Sequence, residues 1–360
     1  MKNICLLGST GYIGTNALKI VRNNPDKYRI IALGGGRNID LLLNQIKEFK
    51  PRYAVVINSH LADQLKSKLN NLANIKIFYG TKGYSEIASL SDINITIAAM
   101  TGSVGLLPTY SAITAGKDVA LANKETLVMA GSLMINESKK LGVNIFPIDS
   151  EHSAIQQSIQ GHNREDLKKI ILTGSGGPFK DSPIEKLATV TPHEALQHPK
   201  WKMGRKISID SATMMNKGME AIEAKWLFNV EMDQIKILIH PQSIIHSMVE
   251  YMDGSIIAQL APTDMRIPIS YALSYPRHLK VELPSLDFID IETLSFERPD
   301  KKRFRCLYLA LAAGKIGESM PAVLNGANEI GVNAFLEGKI GCLEFSQLIE
   351  KTREKHKTFP

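Results

Sequence analysis

Apolar runs of strand length alternate with amphipathic segments through the first 150 residues. Residues 2–8 read as a strand ending in GSTGYIG (8–14), and Ala17, Leu18 and Val21 give the following segment an apolar face. Further apolar runs lie at 28–34, 53–57, 75–79, 93–99, 119–122 and 144–148, with a helix over 40–49. Strands that alternate with helices close into parallel βαβ units with right-handed crossovers, so the pattern predicts an α/β chain that starts with a doubly wound sheet. Beyond residue 150 the pattern changes. A strand is expected over 170–173, a helix over 211–228 and a hairpin from 243–251 and 255–260. Residues 283–298 read as an irregular linker, and 305–311 and 322–336 as helices of a small C-terminal bundle.

The first turn carries the first candidate chemistry. Gly8, Gly11 and Gly14 follow a strand and open a helix, where glycine lets the backbone approach a pyrophosphate and the helix N-terminus supplies N–H donors. The spacing is GxxGxxG, and the bland alternative is a tight strand-to-helix turn. No carboxylate stands at the end of the second strand until Asp40. Arg37 offers a fork for a 2′-phosphate instead, which favours NADP, unless it is a solvated loop charge.

The last strand of the sheet runs into Asp149-Ser150-Glu151. In an extended segment residues two apart share a side, so two carboxylates are expected together, with Glu220 as a third. All-oxygen ligation favours Mg²⁺ or Mn²⁺ over zinc, although a D-x-E pair is more often a polar strand end. In the 211–228 helix Met215, Met219, Ile222 and Trp226 form the buried stripe, with Asn216 and Glu220 side by side. Gly174–Pro178 suits an anion-binding nest or a hinge. The irregular segment to Gly204, with Trp201 and Met203, has the length of a lid, though a Trp is more often plain packing. Ser211, Asn216 and Lys217 offer a hydroxyl, an amide and an ammonium to a phosphate. Lys124 at a strand end either holds a substrate oxygen or starts a surface helix with Glu125.

Charge and cysteine content narrow the classes. Lys and Arg total 43 against 36 Asp and Glu, for a net +7. No dense basic tract occurs, and an anionic small substrate accounts for the charge as well as nucleic acid would. The three cysteines, Cys5, Cys306 and Cys342, form no CxxC pair, which fits a reducing compartment. No apolar run reaches the roughly 18 residues of a membrane span. The expected location is the cytoplasm, or a plastid-type organelle after loss of a transit sequence.

GSTGYIG, ANKET (122–126), IDSEHSA (148–154), TGSGGPF (173–179), HPKWKMGRKISIDSATMMNKGME (198–220), HPQSIIHSMVEY (240–251) and NGANE (325–329) occur in that order. Together they resemble the 1-deoxy-D-xylulose 5-phosphate reductoisomerase family over essentially residues 1–350. The resemblance implies a Rossmann-like NADPH-binding domain at 1–150 and a central α/β catalytic and dimerisation domain at 151–282, with a flap near 175–204. A linker at 283–300 and a C-terminal helical domain at 301–360 would follow, the last shorter than the family pattern. It implies NADPH contacts from Thr10, Gly11, Tyr12, Ile13, Gly36, Arg37, Asn38, Asn123, Glu125 and Gly204. Asp149, Glu151 and Glu220 would hold Mg²⁺ or Mn²⁺. Ser175, Ser211, Asn216 and Lys217 would take the substrate phosphate end, and Lys124, Ser150, Glu151, His198 and Glu220 the rest of the substrate. Lys124, Glu151 and His198 are the implied catalytic groups, and Trp201 and Met203 the closing flap.

The implied reaction turns 1-deoxy-D-xylulose 5-phosphate into 2-C-methyl-D-erythritol 4-phosphate by retro-aldol cleavage, re-aldolisation and reduction, in a homodimer. Tyr12 stands where many members have Ser, and Arg37 where some have Lys. Two rival classes read less well. A semialdehyde dehydrogenase needs a positioned catalytic thiol, and neither Cys306 nor Cys342 has such a context. A nucleotide sensor has no use for three converging carboxylates.

Overall fold

A computed structural model describes residues 1–69, 75–198 and 203–359. The chain runs β1 (Lys2–Leu7), α1 (Tyr12–Arg22), β2 (Tyr28–Gly34), α2 (Ile39–Phe49), β3 (Tyr53–Val56), α3 (Ser59–Leu69), β4 (Lys76–Tyr79) and α4 (Gly80–Ala88). β5 (Ile95–Ala98), α5 (Leu106–Thr114), β6 (Asp118–Leu121), α6 (Lys124–Leu141), β7 (Ile145–Pro147), α7 (Ser150–Ile159) and β8 (Leu167–Gly174) follow. Then come α8 (Pro192–Ala195), α9 (Arg205–Ala212), α10 (Met215–Phe228), β9 (Ile235–Ile239), β10 (Ile245–Tyr251) and β11 (Ile256–Leu260). The last helices are α11 (Arg266–Ser274), α12 (Phe288–Ile291), α13 (Arg305–Ile316), α14 (Met320–Leu336) and α15 (Cys342–Lys355).

These elements form two compact units. The first holds 1–126, 130–149 and 265–281, and the second holds 127–129, 150–264 and 282–360. The sheet of the first unit has the order β4-β3-β2-β1-β5-β6-β7, parallel throughout. Chain order reverses at β1 and β5, the switch point at which such sheets bind ligands beyond their carboxyl ends. β1 is buried from Ile4 to Leu7 and β5 along its whole length. A parallel sheet covered on both faces yields continuous apolar strands, which is why these were readable as runs.

The turn after β1 depends on two glycines. Gly8 has φ +86°, and a Cβ there would lie 2.3 Å from the Ala99 carbonyl oxygen. A Cβ on Gly14 would lie 2.3 Å from the Gly8 oxygen, so α1 seats against the strand only without one. Gly8 and Ser9 both donate N–H to the Gly34 carbonyl, at 2.8 and 2.7 Å, which ties the ends of β1 and β2 together. The chain returns to this unit late: α11 packs on α1, β6 and β7, and Lys2 Nζ donates to Leu273 O at 3.0 Å. Nothing in the local pattern announced that return.

The second unit has a four-stranded sheet, β11-β10-β8-β9. β10 is antiparallel to β11 and β8, and β8 is parallel to β9. The expected hairpin is β10–β11. One face of the sheet joins a core that includes Ile155, Leu172, Met215, Met219, Ile222, Val249, Leu324 and Phe345. The helices beyond residue 301 contribute to that same core. α10 and α13 approach closely because Gly218 leaves room: a Cβ there would lie 2.4 Å from that of Ala310. The expected linker is largely irregular, with α12 inside it and a bridge from Glu297 to Ile239.

One expected element is corrected. The helix read over 211–228 is two, α9 and α10. Thr213 Oγ1 donates back to Ile209 O at 3.1 Å, and Met214 has φ +53°. The apolar stripe of Met215, Met219 and Ile222 lies wholly in the second helix, and the break before it is a matter of backbone angle that the side-chain pattern does not record. Met215, Met219 and Ile222 are buried as expected, and Trp226 is half-buried.

Gly14→Ala is expected to cost about 1–3 kcal/mol through overpacking against Gly8 and Ser9. Thermal or urea unfolding measures it, and an unchanged midpoint would contradict the close approach.

Candidate active site

Three turns at the carboxyl edge of the first sheet, after β1, β2 and β6, carry all but one of the residues read as cofactor contacts. Thr10, Gly11, Tyr12 and Ile13 form the turn into α1, whose N-cap is Gly11. Gly36 N–H reaches Thr10 Oγ1 at 3.5 Å, so the turns after β1 and β2 meet. Arg37 is exposed between them, and Asn38 caps α2 by accepting from Leu41 N–H at 3.0 Å. Asn123 caps α6. Its Oδ1 accepts from Thr126 N–H at 2.9 Å, and its Nδ2 donates to Gly102 O at 2.9 Å and to Met100 O. That one amide holds the loop after β5 against the start of α6. Lys124 and Glu125 follow in the first turn of α6, both buried. Lys124 forms an ion pair with Asp149, just beyond β7, so it is no surface charge. Gly204 lies in the second unit, as the N-cap of α9.

The second unit gathers the residues read as acid and phosphate ligands. Lys217 Nζ lies 2.6 Å from Glu151 Oε1 and 2.6 Å from Glu220 Oε2. Ser150 Oγ donates to Glu151 Oε2 at 2.7 Å, and Asn216 Nδ2 donates to Glu220 Oε1 at 2.6 Å. Burial works against the charge on Lys217, but Glu151 and Glu220 outweigh it and raise its pKa. The ammonium is therefore a fixed cation.

The same-side reading of Asp149 and Glu151 is corrected. β7 ends at Pro147 and α7 begins at Ser150, so Glu151 sits in the first turn of a helix. Asp149 ends a stretch of the first unit, and Glu151 belongs to the second. The extended geometry assumed from a polar strand end does not exist, because the chain turns into a helix there.

The loop after β8 completes this arrangement. Gly176 and Gly177 have φ +86° and +70°. Ser175 Oγ bonds His198 Nε2 at 3.0 Å and accepts from Gly177 N–H at 3.2 Å. A Cβ on Gly174 would lie 2.8 Å from Lys217 Cε, and one on Gly177 would lie 2.7 Å from Ser211 O. Those absences bring Ser175, His198, Ser211, Asn216 and Lys217 into one patch. His240 holds the loop from behind: its backbone N–H donates to Gly174 O at 2.7 Å, and its Nδ1 donates to Ser295 O at 2.9 Å. Burial lowers the pKa of His246, with Glu151 opposing. Met203 is half-buried, whereas Trp201 lies outside the described residues.

Two residues were not anticipated. His152 Nε2 donates to the Glu220 carbonyl at 2.9 Å, and its Nδ1 lies 3.6 Å from Glu223 Oε2. Both side chains are buried. The signal was faint: a histidine directly after Glu151, and an acid three residues beyond Glu220.

The donor set fits a hard divalent cation. Its ligand atoms are carboxylate oxygens, Glu151 and Glu220 already share one positive group, and Asn216 Oδ1 is buried without a partner.

Family comparisons match residues 4–131 to 1-deoxy-D-xylulose 5-phosphate reductoisomerase, 145–228 to its C-terminal domain, and 260–359 to the DXP reductoisomerase C-terminal domain. The chain belongs to the 1-deoxy-D-xylulose 5-phosphate reductoisomerase family. It is 52% identical to the reductoisomerase of Trichlorobacter lovleyi over 356 residues, covering 99% of this chain and 91% of the relative. It is 49% identical to that of Chlorobaculum tepidum over 359 residues, covering 100% and 94%. Among solved structures, the Zymomonas mobilis reductoisomerase in complex with NADPH matches with a TM-score of 0.92 at 44% identity, covering 100% of this chain and 93% of that one. A reductoisomerase in complex with NADPH, fosmidomycin and magnesium matches with a TM-score of 0.95 at 43% identity, covering 99% and 90%.

Within this reductoisomerase family fold, His198 is a neutral hydrogen-bonding group. Burial, helped by the positive charge of Lys217, pushes its pKa down to about 4. The unfolded chain takes up a proton near pH 6.5 that the native site refuses until about pH 4. Its contribution to stability therefore falls as pH drops through that window. An NMR titration should place the His198 midpoint near 4, and a midpoint near 6.5 would overturn the assignment.

Proposed function

We propose that this chain converts 1-deoxy-D-xylulose 5-phosphate and NADPH into 2-C-methyl-D-erythritol 4-phosphate with the help of Mg²⁺ or Mn²⁺. The observation that carries the reading is the Lys217 ammonium held between Glu151 and Glu220, beside Ser175, His198 and Ser211. Asp149, Glu151 and Glu220 are the proposed metal ligands. Thr10, Gly11, Tyr12, Ile13, Gly36, Arg37, Asn38, Asn123, Glu125 and Gly204 are the proposed NADPH contacts. When bound, NADPH supplies the reducing equivalent, and the divalent cation polarises neighbouring substrate oxygens.

The chain's own residues do the rest. Ser175, Ser211, Asn216 and Lys217 anchor the phosphate, a remote group whose binding energy serves orientation. A cation shared by Glu151 and Glu220 would release the Lys217 ammonium toward that phosphate. His198, neutral through the working pH range, accepts or donates a single hydrogen bond to the substrate without carrying charge. Lys124, buried and paired, stabilises charge that develops on a substrate oxygen, and Glu151 is the candidate for proton transfer. Met203 is the proposed flap residue that helps to keep water from the substrate.

The partner reading is a homodimer. β11 supports it, an edge strand whose Ile256 is 53% exposed. A cytoplasmic location fits three unpaired cysteines. No helix among the described residues is long and apolar enough to cross a membrane.

Purified chain should oxidise NADPH only when given the deoxyxylulose phosphate and a divalent cation, and a chelator should stop it. No turnover with fresh Mn²⁺ would remove the reading. Glu220→Gln should lower kcat by at least about 100-fold while far-UV circular dichroism stays native. Lys217→Met leaves the buried Glu220 and the half-buried Glu151 without their shared cation and should cost about 3–5 kcal/mol. Millimolar Mg²⁺ should restore part of that loss in a thermal unfolding scan, and a metal-independent midpoint would contradict the ligand assignment.

A further inference from the structure

The joint between α9 and α10 has a second side. There it forms one wall of a cavity of about 210 Å³ in the second unit, lined by Ala212, Thr213, Lys302, Arg303, Cys306 and Cys342. Arg305 also lines it, but its guanidinium pairs with Glu350. No carboxylate is among the lining residues. The nearby Asp300 carboxylate accepts the backbone N–H groups of Lys302 and Arg303, at 2.8 Å each, and so stays at the backbone. Arg303 Nε is buried without a partner. α15 begins at Cys342, which adds the positive end of a helix; its first-turn acid, Glu344, turns back to Gly341 N–H at 2.7 Å. Burial pushes the Cys342 thiol up to about 11 and the Cys306 thiol higher still, so both are neutral, apolar walls. The lining thus combines the cationic side chains of Lys302 and Arg303 with the apolar surfaces of Ala212, Cys306 and Cys342.

We propose that this cavity binds a small amphipathic phosphate monoester, its head at Lys302 and Arg303 and its apolar portion against Ala212, Cys306 and Cys342. Two cations and an unmatched guanidinium N–H suit a dianion better than a single carboxylate. The volume admits a head group with a short carbon chain. An occupant would also bear on the α9–α10 joint. Met214 holds a left-handed conformation there, and Gly177 is packed on Ser211 O across the same joint. Asn216, Lys217 and Glu220 follow within two turns. The site therefore couples to the substrate's phosphate residues, a clause that rests on the reading above.

Isothermal titration of the full chain with hexyl phosphate and with inorganic phosphate tests the site without any turnover. Hexyl phosphate should bind at least tenfold more tightly than inorganic phosphate. Lys302→Gln should weaken it at least fivefold, and Lys302→Gln with Arg303→Gln further, with basal turnover unchanged. Lys302 is exposed, so the single variant keeps the test valid if the double variant fails to fold. Equal affinity in wild type and Lys302→Gln would overturn the site, because the probe would then occupy the substrate's own phosphate position or none. Saturating hexyl phosphate should shift the substrate KM at least threefold in wild type and not in Lys302→Gln. Binding with no such shift would overturn the coupling.

Discussion

One ammonium between two carboxylates organises the second unit. Glu220 is 1% exposed and Lys217 is 5% exposed, so neither charge is solvated by bulk water. Burying such a group is costly unless its partners are fixed, and removing one partner strands the other. Here two acids face one cation, which leaves one negative charge in excess. Ser150 and Asn216 satisfy remaining oxygens but bring no charge. The arrangement is incomplete electrostatically, and Asn216 Oδ1 is buried in it without a hydrogen-bond partner. A site in that state has affinity for a further cation and, once that arrives, a lysine to spare for an anion.

Close backbone approaches keep the network in place. Gly174 admits the Lys217 stem, Gly177 rests on Ser211, and Gly218 lets α13 press on α10. Each contact replaces a side chain with contact between elements, so α10 has little room to shift. The first unit follows the same rule at Gly8 and Gly14, where a missing Cβ sets how near α1 comes to β1. Asn123 does related work with hydrogen bonds, joining the loop after β5 to the N-terminus of α6.

His198 and Lys217 show how position assigns a protonation state. The positive charge of Lys217 survives burial because carboxylates adjoin it, and that charge then helps to keep His198 neutral. A neutral imidazole bonded to Ser175 can take either hydrogen-bonding role. The pair therefore presents a fixed positive group and an adaptable neutral one on the same patch.

By itself, the order of residues determined the parallel sheet, the glycine turn, the Asn216–Glu220 pairing and the stripe of Met215, Met219 and Ile222. Each of these is a local matter of period two, period 3.6 or a steric need for glycine, so a short window contains it. Family resemblance rests on longer blocks but on the same linear record. Only the tertiary structure decided that Glu151 sits in the first turn of a helix rather than on an extended strand end, and that Met214 breaks one apparent helix into two. It also decided that His152 and Glu223 back Glu220, and that residues 265–281 return to the first sheet. Those outcomes depend on which distant segments pack together and on single backbone angles, and a hydrophobic pattern carries neither.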